Sequence, residues 1–108
     1  MSNPIRQYYD NGKLWRETYR VNDELHREDG PAYIECYEDG QKLLEMYYLH
    51  GEIHRTDGPA IIEWDEDGNI TDQFFALSGN RASVYDVLDD KEAFEWAMIY
   101  GDNCKNKP

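Results

Sequence analysis

The sequence predicts a mainly β protein: an antiparallel β-hairpin repeat array of three 28-residue units, the first truncated, with a C-terminal capping α-helix. Three observations point there. Residues 26–53 laid on 54–81 without a gap are identical at thirteen of 28 positions, which marks an internal repeat. Inside each unit, apolar residues alternate with polar ones between turn residues, the pattern of half-buried strands. After Arg81 the alternation stops and apolar residues recur at helical spacing.

The first unit, 1–25, is the faintest copy. Gly12 matches Gly40, Tyr19 matches Tyr47 and Phe75, and Val21 matches Leu49 and Leu77. Pro4 stands where the other copies carry Ala32 and Ala60, and no HRxDGPA phrase precedes it. The second unit, 26–53, reads as strand ("AYIECY"), Asp-Gly turn ("EDGQ"), return strand ("KLLEMYYL") and a second turn ("HGE"). The third, 54–81, repeats this order, with turns at "DEDGN" and "LSGN". Glycine supplies the positive φ such turns need, and a neighbouring Asp or Asn tolerates the left-handed region.

Period-2 faces follow. Ala32, Ile34 and Cys36 share one face of a strand, repeated by Ala60, Ile62 and Trp64. On the return strand Leu43, Tyr47 and Leu49 share a face, repeated by Phe75 and Leu77 and prefigured by Trp15, Tyr19 and Val21. A lone hairpin cannot bury such a face, so the hairpins are expected to stack side by side. Residues 82–108 form the expected cap and tail. Asp89 is the expected N-cap, Glu92 stands three residues on, Gly101 is the stop, and Ala93, Phe94, Ala97 and Tyr100 line one side. Trp96, Met98 and Ile99 widen the apolar area beyond what a cap needs, which leaves room for a partner surface.

The repeated HRxDGPA phrase places His26, Arg27 and Asp29 in one unit and His54, Arg55 and Asp57 in the next. A His and an Asp three residues apart could exchange a proton, yet no nucleophile, phosphate-cradling loop or metal-ligand spacing accompanies them. The phrase reads as a connector: Gly-Pro enforces an extended join, Asp accepts backbone N–H groups, Arg pairs with a carboxylate of the neighbouring hairpin, and His bonds backbone. Contact with a ligand is the other reading. No catalytic residue, cofactor or metal is expected, and the chain reads as a non-enzyme.

The net charge of −12 is unevenly spread: residues 63–102 hold eleven acids and only Arg81 and Lys91 as bases. Such a field repels phosphate backbones and anionic lipid, so direct nucleic-acid and membrane binding are disfavoured and a basic protein surface is favoured. The candidate partner-binding residues are Glu63, Asp65, Glu66, Asp67, Asp72, Asp86, Asp89, Asp90, Glu92, Glu95 and Trp96. Open sheet edges also allow self-association. Cys36 and Cys104 fit no disulfide or metal framework, and no apolar leader or membrane span is evident, so a cytoplasmic location is expected.

With "YYLHGEIHRTDGPAIIEW" in view, residues 5–81 resemble the bacterial and viral variant of the MORN-type repeat, as found in phage and giant-virus proteins, and more distantly the YwqK-like antitoxins. The resemblance implies a hairpin array used for interaction, not catalysis. In a phage setting the acidic charge points to a host-cytoplasmic inhibitor of a defence nuclease, of the anti-CRISPR or nucleic-acid-mimic kind. The alternative is a ligand-binding or antitoxin-like module that uses the repeated His, Arg and Asp positions.

Overall fold

The computed structural model describes residues 4–100. Gly101, the expected helix stop, and Cys104 lie outside the described residues. Three hairpins form one antiparallel meander: β1 (Ile5–Tyr8) with β2 (Leu14–Thr18), β5 (Tyr33–Cys36) with β6 (Lys42–Met46), and β9 (Ile61–Trp64) with β10 (Ile70–Leu77). Small second hairpins follow: β3 (Arg20–Val21) with β4 (Glu24–Leu25), β7 (Tyr48–Leu49) with β8 (Glu52–Ile53), and the end of β10 with β11 (Asn80–Ala82). The return strand expected to be continuous is broken at Tyr19 and at Tyr47, and runs unbroken only in β10. At the two breaks the tyrosine N–H donates to Ala32 O and Ala60 O of the next hairpin.

The two kinds of turn have different physics. At the outer tips, Gly12, Gly40 and Gly68 have φ of 86°, 92° and 87° and donate their N–H to the carbonyls of Tyr9, Tyr37 and Asp65. Each is the left-handed residue that follows a type I turn in a three-residue loop. The opposite turns are two-residue and positive in φ at both places: Asn22 and Asp23, His50 and Gly51, Ser78 and Gly79. That is the type I′ turn, whose twist matches the strands it joins.

The molecule is thin, with extents of 43 × 35 × 19 Å. A sheet with so little cover has a small core. Ala32, Ala60 and Ala93 are fully buried, Cys36 nearly so, and Phe75 is the one large side chain wholly buried among the described residues. Across the covered face runs a register of neighbours, Glu17–Ile34–Glu45–Ile62–Gln73. Glu17, Glu45 and Gln73 are equivalent repeat positions, and all three are buried. Each carboxylate has a cation: Arg6 pairs with Glu17, and Lys42 Nζ lies 2.9 Å from Glu45 Oε2. The bond to Glu45 pushes the Lys42 ammonium pKa up, and burial pushes that of the Cys36 thiol up. Gln73, with no cation provided, is neutral.

The C-terminal segment forms two helices where one was expected. α1 (Val84–Val87) is capped by Ser83, whose hydroxyl accepts from Asp86 N while Asp86 accepts from Ser83 N. α2 (Asp90–Tyr100) starts as expected, with Glu92 N donating to Asp89 Oδ1 at 2.8 Å. Its packed side differs from the expectation. Ala93 is buried and Trp96 meets the Phe75 ring edge-on at 5.0 Å, with Tyr100 beside it, whereas Phe94 is 60% exposed. Phe75 attracts the large flat indole, and that choice rotates Phe94 outward. Among the described residues no helix is long and apolar enough to cross a membrane.

Removing a cation from a buried carboxylate strands the charge. Lys42→Met is expected to cost about 1–2 kcal/mol in denaturant unfolding, less than a fully buried pair because Lys42 is 59% exposed. Adding Glu45→Gln is expected to recover most of that loss. A double variant as unstable as the single would show that the pair does not matter.

Candidate functional site

The two HRxDGPA phrases run from β4 to β5 and from β8 to β9, and they fold alike. Arg27 Nε donates to Asp29 Oδ1 at 2.9 Å and its Nη1 to Pro31 O at 3.2 Å. Arg55 does the same to Asp57 Oδ1 at 2.8 Å and Pro59 O at 3.1 Å. Each guanidinium also lies 4.0 Å from a ring centroid of the preceding hairpin, Arg27 over Tyr19 and Arg55 over Tyr47. The glycines leave room for this. A Cβ on Gly30 would sit 2.9 Å from Arg27 Cζ, and one on Gly58 would sit 3.0 Å from Arg55 Cζ. One expectation is corrected here. The arginine's carboxylate comes from its own phrase, not from the neighbouring hairpin. The guanidinium N–H is the main donor to Asp29 and Asp57, and at Asp29 a backbone N–H adds to it. Arg27 holds the Asp29 carboxyl below its usual pKa.

The histidines face the other way, toward the next unit. His26 Nδ1 accepts from His50 N and His54 Nδ1 from Ser78 N, both at 2.9 Å. Both donors are the first residue of a type I′ turn. Leu25 O accepts from Gly51 N, and Ile53 O from Gly79 N, in the same seam. An acceptor Nδ1 puts the ring proton of the neutral imidazole on Nε2. Each phrase therefore grips the hairpin before it through Arg and the hairpin after it through His.

A groove of about 350 Å³ lies between the two phrases and brings together Arg27, Asp29, Tyr47, His54, Arg55 and Asp57. His26 stands apart from it, with its ring 4.4 Å from that of His50. Both guanidiniums in the groove already have a carboxylate, a carbonyl and an aromatic face. Among the described residues no three His, Cys, Asp or Glu side chains are grouped to hold a metal ion.

The acidic residues separate into three groups. Asp65, Glu66 and Asp67 form the third outer tip, where Asp65 Oδ1 accepts from Asp67 N and Asn69 N and is half-buried. Glu63 and Asp72 are register neighbours in the sheet, both half-buried, and one Asp72 oxygen is buried with no hydrogen-bond partner. Asp86, Asp89, Asp90, Glu92 and Glu95 are exposed on and between the helices. Trp96, expected at the partner surface, is turned inward onto Phe75, and the aromatic exposed on α2 is Phe94.

The structure adds acids that the linear charge count passed over. The outer tips are tied side by side: Tyr9 Oη donates to Cys36 O at 2.7 Å, Tyr37 Oη to Trp64 O at 2.8 Å, and Asn11 Nδ2 to Glu38 O at 2.8 Å. Tips joined this way are two strands apart, roughly 10 Å. Asp10, Glu38, Asp39, Glu66 and Asp67 are thereby displayed in a row along one edge, all exposed and none in an ion pair among the described residues. Burial first, then Glu66 and its neighbours, push the Tyr37 phenol pKa up. The signal for this row was the 28-residue offset, which makes every tip equivalent. No protein-family model, curated protein or solved structure matches the chain.

Two outcomes test the connector. Gly58→Ala is expected to lower Tm by several degrees because its Cβ displaces the Arg55 guanidinium, and to be nearly neutral in an Arg55→Ala background. Additive losses would mean that the glycine serves something else. The second concerns acid. Asp29 has a depressed folded pKa, so its contribution is present above the unfolded carboxylate range, about pH 4, and is lost as pH falls through the folded value. The stability gap between the protein and Asp29→Asn is expected to be constant near neutrality and to close below about pH 4. A gap that persists in acid would contradict the pairing.

Proposed function

We propose that the protein is a non-catalytic acidic interaction module that occupies a basic, nucleic-acid-binding surface of a protein partner and inhibits it. A host defence nuclease is the partner class that a phage setting implies. The observation that carries this reading is the row of exposed carboxylates, none in an ion pair among the described residues, on three outer tips tied at a fixed spacing. Interactions between charges held in place lose little side-chain and loop entropy on binding. A predominantly acidic edge, with Lys13 its one neighbouring cation among the described residues, speeds encounter with an oppositely charged groove, and the same field repels nucleic acid itself. The helix carboxylates extend the field beyond the tips.

A ligand-binding or antitoxin-like module is the alternative, and the groove between the two phrases is what favours it. The prior engagement of Arg27 and Arg55 weighs against it, because a ligand would have to compete with Asp29 and Asp57 for charge already neutralised. For self-association, the sheet has β1 at one edge and β10 with the three-residue β11 at the other, and the four residues of β1 include Arg6. A short, charged edge discourages pairing with a second copy.

A quadruple reversal, Glu38→Lys, Asp39→Lys, Glu66→Lys and Asp67→Lys, is expected to keep the fold and to lower Tm slightly, through the bonds that Asp39 accepts from Gln41 N and Nε2. It is expected to slow stopped-flow association with a basic ribonuclease by about tenfold or more at low salt, and by much less at high salt. Equal association rates for the two proteins at low salt would overturn the role of the tip row.

A further inference from the structure

Helix α2 turns a second, chemically different face outward. Met98 and Ile99 are each 73% exposed and Phe94 is 60% exposed, while Tyr85 of α1 is 56% exposed. Only Ala93 of the eleven helix residues is buried. Phe94 and Met98 stand one turn apart on the same side, and Ile99 lies about 100° further round with Glu95 between, so the exposed surface is an apolar ridge at Phe94 and Met98 broadened by Ile99 beyond a carboxylate. Scattered apolar residues on a surface need no explanation, but a ridge of this kind on an otherwise charged helix does.

The surrounding charge says what can cover it. Asp86, Asp89, Asp90, Glu92 and Glu95 are all exposed on the same helical segment, with Lys91 the one cation among residues 82–100. A second copy seated here would bring matching sets of carboxylates together, and an anionic bilayer would be repelled. We infer that the α2 ridge is a docking face for a basic amphipathic helix of the protein partner. Its apolar stripe lies along Phe94, Met98 and Ile99, and its flanking Lys and Arg meet Glu92, Glu95 and Asp90. This rests on the reading of the protein as an acidic interaction module and gives that module an apolar anchor. The exposed edge of charges governs encounter, and the desolvated ridge governs residence.

The probe is a synthetic Leu/Lys amphipathic helical peptide, titrated into the full chain by calorimetry, with a Leu/Glu peptide of the same pattern as control. Saturable binding of the Leu/Lys peptide and none of the Leu/Glu peptide is expected. Phe94→Gln, Met98→Gln and Ile99→Gln together are expected to weaken it at least tenfold, with Met98→Gln alone as a milder variant that keeps the helix intact by circular dichroism. The tip reversal at Glu38, Asp39, Glu66 and Asp67 is expected to leave peptide affinity within about threefold, so loss of the tip effect and loss of the ridge effect are separately visible. Equal binding of both peptides, or affinity unchanged in both ridge variants, would overturn the inference. So would a concentration-dependent dimer, in sedimentation, that the triple substitution abolishes.

Discussion

A short hairpin has one face to bury and nothing of its own to bury it with, so the array depends on whatever fixes one hairpin against the next. Here that is a guanidinium lying 4.0 Å from a tyrosine ring centroid, Arg27 on Tyr19 and Arg55 on Tyr47. The arginine belongs to the connector and the tyrosine to the preceding return strand, so the contact sets how far the chain travels between hairpins. Gly30 and Gly58 make space for it, Asp29 and Asp57 neutralise it, and Pro31 and Pro59 present their carbonyls to it. With a slab only 19 Å thick and, among the described residues, one large side chain wholly buried, such local contacts carry a share of stability that a deep core would carry elsewhere.

The same contact explains how the array ends. The position under the arginine is Tyr19 in the first unit, Tyr47 in the second and Phe75 in the third. One repeat after Arg55 stands Ser83, which caps α1 and cannot reach over a ring. Trp96 of α2 takes up that task from another direction, edge-on to Phe75 at 5.0 Å. Loss of the phenol oxygen suits an indole neighbour that brings no charge. Glu17, Glu45 and Gln73 follow a parallel logic, because the last unit lacks both the Arg6 and the Lys42 that balance the first two. The third unit is thus adapted at two buried positions to a helix, not to a fourth hairpin.

Much of this could be read in the residues because the determinants are local. The faces of the first strands, both sets of turns and the Asp89 cap depend on neighbours a few places away, and they sit where period and turn chemistry place them. The return-strand face does not, because the strand breaks at Tyr19 and Tyr47 and Val21 is exposed. Direction was harder. The sequence shows that Arg27 seeks a carboxylate but not whether Asp29 or a distant acid supplies it, since that depends on a stacking partner eight residues upstream. The rotation of α2 was hidden for the same reason: Phe94 and Trp96 are both apolar aromatics, and only the position of Phe75 chooses between them. α1 was missed because four residues of "VYDV" are too few to show helical periodicity. The acidic row escaped a linear charge count because its members are 28 residues apart and meet only through the stacking of tips.

The distribution of partners makes sense of a charge that composition alone leaves ambiguous. A soluble surface is normally a mixture of both signs, and this chain has eleven bases to offer against twenty-three acids. Among the described residues four bases are committed to structural ion pairs, Arg6 and Lys42 to buried glutamates and Arg27 and Arg55 to the connectors. Cations are therefore concentrated where a carboxylate would otherwise be stranded or a connector loose, and the row of five tip carboxylates is left with one neighbouring cation among the described residues, Lys13 of the first tip, which lies against Gly40 of the second. An acidic edge that served only solubility would gain from interspersed lysines, which reduce self-repulsion without loss of hydration. Holding three such tips at a fixed spacing, through tyrosine hydroxyls that reach across to the next hairpin, concentrates the repulsion instead. An arrangement that accepts that cost is better matched to a surface that supplies the missing positive charge.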